Sequence, residues 1–412
     1  MLTRSRTTQG IDRPGTSLLA LVLGCGDCRD SVAIDTTADT TSSGTGVPTG
    51  TDGPTSSGGD PDALCFDAPF SVAVSLEHPI ALRRGDFDGD GSTDILVLGL
   101  ESGYAGRALY GVAGTFVPGE FGSLPIGCDT QSIVLDLDDD GRSEVAFANC
   151  FAGIEVHHVE LDGTFSPFAA IPVADVIHQL AHLDVNADGI RDLVLLTTTG
   201  DALDLSVLPG MPGQSFGPAV VSPQPVQFAD EPAAILMRVA ASDPVEVVIA
   251  QEGASHGFAR SQHAGGGGFA VPAWIATDFA IGGLVFSDVD ADGATDVLVV
   301  DQGAGQVHAL LGAAHDPGPV TPLTGDWFTV VPGELDGAGA LDLAVVRTTE
   351  VDILAGQGDG SFALVDTVDF GDYIVDKHLV LTDLDGDGRD DLVAGFFNPF
   401  PFSAMVAQSC PF

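Results

Sequence analysis

Five short stretches of this chain place oxygen-bearing side chains at alternate positions, with the same spacing each time. The first, GDFDGDGSTDILVLG, carries Asp86, Asp88, Asp90 and Asp94. Asp136, Asp138, Asp140 and Glu144 repeat it, as do Asp184, Asn186, Asp188 and Asp192. Asp288, Asp290, Asp292 and Asp296 form a fourth set, and Asp383, Asp385, Asp387 and Asp391 a fifth. Counted from the first acid, the ligand types stand at positions one, three, five and nine, with glycine at six. An all-oxygen set of this kind suits a hard cation. Calcium takes six to eight oxygens, carboxylate and carbonyl, at about 2.3–2.6 Å. Alternate side chains of a tight turn can converge on one point, and glycine permits the bend. Position seven is Ser92, Arg142, Ile190, Ala294 or Arg389, so a ligand there has to be the backbone carbonyl. Magnesium demands stricter octahedral geometry, and an EF-hand closes with a glutamate at position twelve between helices. The closing acid here comes three residues after the glycine and leads into an apolar run. About five calcium ions are therefore expected.

These loops need elements to hold them. Each is followed by a short Val/Ile/Leu run such as DILVLGL, DLVLLTT or DVLVV, which reads as a strand covered on both faces. A weaker sixth loop, GELDGAGALDLAVV, keeps Glu334, Asp336, Gly339 and Asp342 but has Ala338 at position five. It is not counted among the calcium loops. First positions fall at 86, 136, 184, 288, 334 and 383. The step is about fifty residues, one supersecondary unit, with one double gap. In that gap RVAASDPVEVVIA keeps the strand but puts Arg238, Ala240, Ser242 and Glu246 at the four ligand positions. Here Arg238 is expected to replace a cation by pairing with Glu246. The count is seven repeats. A second recurring element, at 113–116, 162–165, 213–216, 266–269 and 359–362, ends in phenylalanine and reads as a hairpin turn into an outer strand. Four strands per repeat and seven repeats predict an all-β fold, a seven-bladed β-propeller. The chain ends one strand short, so a strand within Ala68 to Pro79 is expected to complete the last blade and close the ring.

With its loops and strands combined, the sequence resembles the FG-GAP/VCBS repeat family, which includes the propeller of integrin α-subunit heads and many bacterial surface proteins. The resemblance covers nearly all of residues 65–412. It rests on the acidic loops; the literal Phe-Gly and Gly-Ala-Pro signatures are mostly replaced by Gly-Thr-Phe-like turns. It implies calcium in the loops between the first two strands of a blade. It transfers no integrin ligand or partner subunit, because no residues here carry those functions.

The remaining features set the chain in a compartment and exclude partners. Fourteen basic against 59 acidic residues give a formal charge of −45, which argues against nucleic acid and anionic lipid as partners. Arg4, Arg6 and Arg13 precede the short apolar run SLLALVLG and then Cys25. This is a signal-peptide layout, and LVLGC resembles a bacterial lipobox. Residues 1–24 are thus expected to be a lipoprotein-type signal peptide and Cys25 the lipidated residue, the only link to a membrane. Ordinary secretion with cleavage near Gly24 is the alternative. Residues 25–64, rich in Ser, Thr, Gly and Pro, read as a flexible linker, and 65–412 as the propeller. An exported protein can hold disulfides. Cys65 with Cys410 would staple the closing seam; Cys128 and Cys150 flank one repeat and are the other expected pair. Cys28 is left unassigned, and spacing alone does not decide connectivity.

The chain contains no His-Glu-x-x-His, Gly-x-Ser-x-Gly or phosphate-binding loop. His178 and His182 in HQLAH read as inter-strand histidines rather than a metal pair. Carboxylate pairs are everywhere, but a catalytic dyad occurs once, not in every repeat. The expectation is a non-catalytic, calcium-binding repeat protein at the cell envelope, serving adhesion or the binding of a protein or glycan. The alternatives are a polysaccharide lyase or hydrolase with its site at the propeller mouth, and a purely structural envelope scaffold.

Overall fold

The computed structural model describes residues 66–409 apart from 77, 101–102, 125–130, 150–152, 174, 200–201, 214, 225–234, 241–243, 252–255, 302, 326, 372–373 and 397–402. The signal peptide, the linker and all six cysteines lie outside the described residues. Seven four-stranded antiparallel sheets make up the fold, six built from strands taken in chain order and the seventh completed by a strand from the start of the fold. Blade one consists of His78–Gly85, Asp94–Leu100, Tyr104–Val112 and Thr115–Ser123. Blades two to six repeat this plan. Their first strands are Gln131–Leu135, Val176–Leu183, Ile235–Ala240, Ile281–Ser287 and Trp327–Gly333. The first strand of blade seven is Ile374–Thr382. Each of these seven touches its counterparts in the two adjoining blades, and the first touches the last, so the ring is closed. The fold is an all-β, seven-bladed propeller, with no helix among the described residues.

The second strands explain the continuous apolar runs. Ile95, Leu96 and Val97 are fully buried, as are Val145 to Ala148 and Val247 to Ala250. Each such strand lies inside its sheet and faces a blade on either side. The core accordingly divides into seven clusters, one at each interface between blades. Phe87, Leu96, Phe147 and Phe165 belong to the cluster between blades one and two. Val248, Phe258, Leu284 and Val299 belong to that between blades four and five. Apolar burial of this kind contributes roughly 25 cal/mol per Å² removed from water, so stability resides in the contacts between blades.

The ring closes as expected, by a strand from within Ala68 to Pro79. The closing strand is Phe70–Ala73, paired antiparallel with Ser403–Ala407 in blade seven. It is shorter than the Ala68 to Pro79 segment, because His78 and Pro79 already pair with blade one's second strand. The phenylalanine turns also vary. In blades one, two and six they lead directly into the outer strand. In blade three the turn at 213–216 instead closes a small ribbon, Gly210–Met211 with Ser215–Phe216, and the outer strand begins at Val220. Four of the turn phenylalanines, Phe116, Phe165, Phe269 and Phe362, are buried in interfaces between blades.

At the seam, Phe66 bridges Ser409 antiparallel, and the Asp67 N–H donates to the Gln408 carbonyl at 2.8 Å. Cys65 and Cys410 flank this bridge in sequence. Peptide mapping without reduction, on protein made in an oxidising compartment, is expected to return a linked Cys65–Cys410 peptide. Free thiols at both positions would reject the linkage.

Candidate metal centres

The loop between the first and second strands of a blade is built by its own carboxylates. In blade one, Asp86 Oδ1 accepts the N–H groups of Gly89 (2.7 Å) and Asp90 (3.2 Å), and its Oδ2 accepts that of Gly91 (2.9 Å). Position one does the same in the loops of blades two, three, five and seven, where Asp136, Asp184, Asp288 and Asp383 bind the N–H of position six at 2.8–3.0 Å. Glycine at position six has φ of +84° to +89° in all five, a region that residues with a Cβ avoid. Position four is left-handed too, even where it is Asp139, Ala187 or Ala291. This repeated backbone strain is held by the carboxylate hydrogen bonds.

The acid at position nine stands at the head of the second strand and is buried. Asp94 Oδ2 accepts the Phe87 N–H at 2.8 Å, and its Oδ1 accepts that of Gly111 at the end of the third strand, also at 2.8 Å. Asp192, Asp296, Asp342 and Asp391 make the same two bonds in their blades. Glu144 accepts the N–H of Leu137 in the first of these roles. This residue ties three segments of a blade together.

In five loops, three carboxylate oxygens lie within 4.8 Å of one another: Asp86, Asp88 and Asp90; Asp136, Asp138 and Glu144; Asp288, Asp290 and Asp296; Glu334, Asp336 and Asp342; and Asp383, Asp385 and Asp391. Two oxygens on opposite sides of a calcium ion are about 4.6–5.2 Å apart, so the three oxygens of each group are close enough together to share one ion. The absence of nitrogen and sulfur donors from the sets suits calcium better than zinc. The Asp184 loop shares the backbone pattern but carries the Asn186 amide at position three, so it offers fewer charges.

Some expected ligands are engaged elsewhere. Asp387, at position five of blade seven, takes Arg389 Nη2 at 2.5 Å and Nε at 3.1 Å, which leaves Asp383, Asp385 and Asp391 as the converging set. Position five is also outside the converging sets of blades two and five, where Asp140 and Asp292 cap the N–H of Arg142 and Ala294. The loss of position five at Ala338 therefore leaves the blade-six loop much like its neighbours. The Arg142 side chain donates to the carbonyls of Phe87 and Val159, away from its own loop. Ser92 and Ile190 likewise present their N–H groups to position five, at Asp90 and Asp188.

In blade four Glu246 is buried and pairs with Arg260, with Nε at 2.7 Å, and with His315, with Nε2 at 2.6 Å. The Arg238 side chain and Ser242 lie outside the described residues; Arg238 pairs by its backbone with Val248. Neither Arg260 nor His315 falls on the repeat pattern, so spacing along the chain carries no signal for them.

The electrostatics separate the two kinds of loop. Burial, reinforced by neighbouring carboxylates, pushes Asp94, Asp342 and Asp391 up to about 6 and Glu144 up to about 7. Asp192 and Asp296 are raised for the same reason. At Glu246 burial opposes the charge, but the hydrogen bonds from His315 and Arg260 outweigh it and hold the carboxyl below its usual range.

Residues 334–394 match the family model described as FG-GAP-like repeat, a span that includes the loops at Glu334 and Asp383. Among solved structures, the chain is similar to BBS1N, crystallised in complex with ARL6DN and soaked with lead. Identity is 14%, the TM-score is 0.57, and 84% of this chain and 97% of that chain are covered. A lectin of Agrocybe aegerita that recognises non-reducing terminal N-acetylglucosamine matches at 15% identity and a TM-score of 0.49, covering 84% of this chain and 99% of that one. A Bacillus licheniformis rhamnogalacturonan lyase matches at 9% and 0.49, covering 82% and 75%. At these identities the likeness concerns the fold alone. No curated protein matches the sequence significantly.

The raised carboxyls give a pH dependence with a definite sign. Their folded values lie above the unfolded ones, so the native state binds more protons and, without metal, loses stability as pH rises from about 4 to about 7. In EDTA, the melting temperature is expected to be higher at pH 5 than at pH 8. A flat profile, or one rising with pH, would contradict the assignment.

Proposed function

We propose that the protein is a non-catalytic, calcium-braced propeller that acts by binding a protein or glycan at the cell envelope. One observation carries the calcium part: three carboxylate oxygens converge within 4.8 Å at the same place in blade after blade. Ionised together without a cation, these groups repel one another and oppose burial of the position-nine acid. A bound calcium ion reverses both terms. The same repetition supports a structural rather than a catalytic role for the carboxylates, since chemistry on a substrate needs one distinctive constellation. The match of residues 334–394 to an FG-GAP-like repeat is consistent with this reading.

The basic and apolar segment ahead of Cys25 supports export and tethering through that cysteine, with the linker as spacer. No described helix is long and apolar enough to cross a membrane. Such a tether would hold a propeller off the surface and leave its faces open to a partner. The charge of −45 favours a partner that is not itself polyanionic.

Calcium is expected to raise the melting temperature and EDTA to lower it, since each site filled at a hundred times its Kd adds about 2.7 kcal/mol. Asp88→Ala and Asp290→Ala should each remove one ion from a native-mass-spectrometry count of about five per chain. Identical melting curves in calcium and EDTA would sink the claim. For the anchor, Cys25→Ala is expected to move the protein from the membrane fraction to the soluble one. An unchanged distribution would exclude lipid attachment there.

A further inference from the structure

The sequence departs most from its own repeat in blades four and five. Blade four lacks the acidic set, keeping only Glu246 at position nine of its loop. Blade five lacks the phenylalanine turn before its outer strand and reads GAAHDP instead. In the structure these two breaks are one contact. The blade-five turn, closed by the His315 N–H on the Gly312 carbonyl at 2.9 Å, lies against the preceding blade. From it His315 Nε2 reaches Glu246 Oε1 at 2.6 Å, with both side chains buried. The other carboxylate oxygen takes Arg260 Nη2 at 2.5 Å and Nε at 2.7 Å, and Gln262 Nε2 at 3.2 Å. The Phe258 ring lies edge-to-face with the imidazole, centroids 6.3 Å apart.

The backbone also shows that the histidine is placed at a cost. His315 has φ of +53°, where glycine would sit more easily. What this conformation secures is the reach of the imidazole into blade four. In blades one, three, five, six and seven the corresponding acid is met by backbone N–H groups, as Asp94 is by Phe87 and Gly111, and in blade two Glu144 takes one backbone N–H and has His158 Nδ1 at 3.1 Å, with no arginine beside it among the described residues. Those blades leave a charge for a cation to offset; here the offset is built into the chain. A buried carboxylate that loses such a partner is strongly disfavoured.

We infer that Arg260 and His315 together stand in for a metal ion in the fourth blade, so that the joint between blades four and five is closed by side chains and is independent of any cation. His315 is a positioning residue, a bolt set in one blade and received by the next. Its loss should open this joint locally, whatever the state of the other loops.

Hydrogen-exchange mass spectrometry on the full chain tests this. In the parent protein, EDTA is expected to raise exchange in the acidic loops and to leave Glu246–Gln251 and Gly257–Gln262 protected. His315→Ala should remove protection from those two strands in calcium and in EDTA alike. His315→Gln, which retains a side-chain N–H for Glu246, should keep it, and serves as the deciding variant if the alanine form does not fold. The inference is overturned if His315→Ala leaves the two strands as protected as in the parent, or if EDTA strips them as it strips the other loops. The EDTA arm rests on calcium occupying the other blades, and the variants do not. Should EDTA change exchange nowhere, the calcium reading fails, and the His315 variants alone determine whether the joint depends on this contact.

Discussion

Every blade places a carboxylate in the interior at the head of its second strand, and the rest of the structure answers to that burial. Asp94, Glu144, Asp296, Asp342 and Asp391 are fully buried, and Asp192 nearly so. A buried charge is tolerated only when hydrogen-bonded and neutralised. In five blades backbone N–H groups from two other segments provide the first, so that the turn before the strand and the end of the third strand fold around this one residue. Neutralisation is left to whatever the loop gathers. In five blades the loop gathers converging carboxylates that could share a cation, in blade three it keeps the same backbone pattern, and in blade four the partners are Arg260 and His315.

The apolar core follows the same logic at a larger scale. No blade encloses a core of its own. Phe147 and Phe165 pack with Phe87 and Leu96 across one interface, and Ile353 with Phe396 and Leu392 across another. A sheet covered on both faces by other sheets must be apolar at its centre and polar only at its ends. That is why charge and burial sit side by side in DILVLGL and its relatives. The acid marks where the strand leaves solvent.

Blade number, the buried second strands and the loop positions are legible in the sequence because they recur, and recurrence separates signal from chance. What recurrence cannot show is the local variation. The turn at 213–216 shares its residues with the others but closes a separate ribbon, because the strand pairing of blade three resumes only at Val220. Asp387 has the ligand spacing, yet the neighbouring Arg389 takes it. The repeat pattern pairs Glu246 with Arg238, its neighbour in the loop. Two partners that the pattern does not mark lie 14 and 69 positions further along the chain, Arg260 on the adjacent strand of the same blade and His315 on the next blade.

The seam has a consequence for how the chain is made. Among the described strands, Phe70–Ala73 is the first in chain order, and its partner, Ser403–Ala407, the last. Until Ser403–Ala407 has been made, Phe70–Ala73 has no sheet to join, and both edges of the growing stack stay exposed. The earlier blades can assemble on their neighbours in order of appearance, since their contacts are local. Closure alone spans the whole chain, so it bears the largest loop entropy and comes last. A nascent chain of this design therefore passes through an open, edge-bearing arc before it becomes a ring, and that interval is when it most needs shelter from other copies of itself.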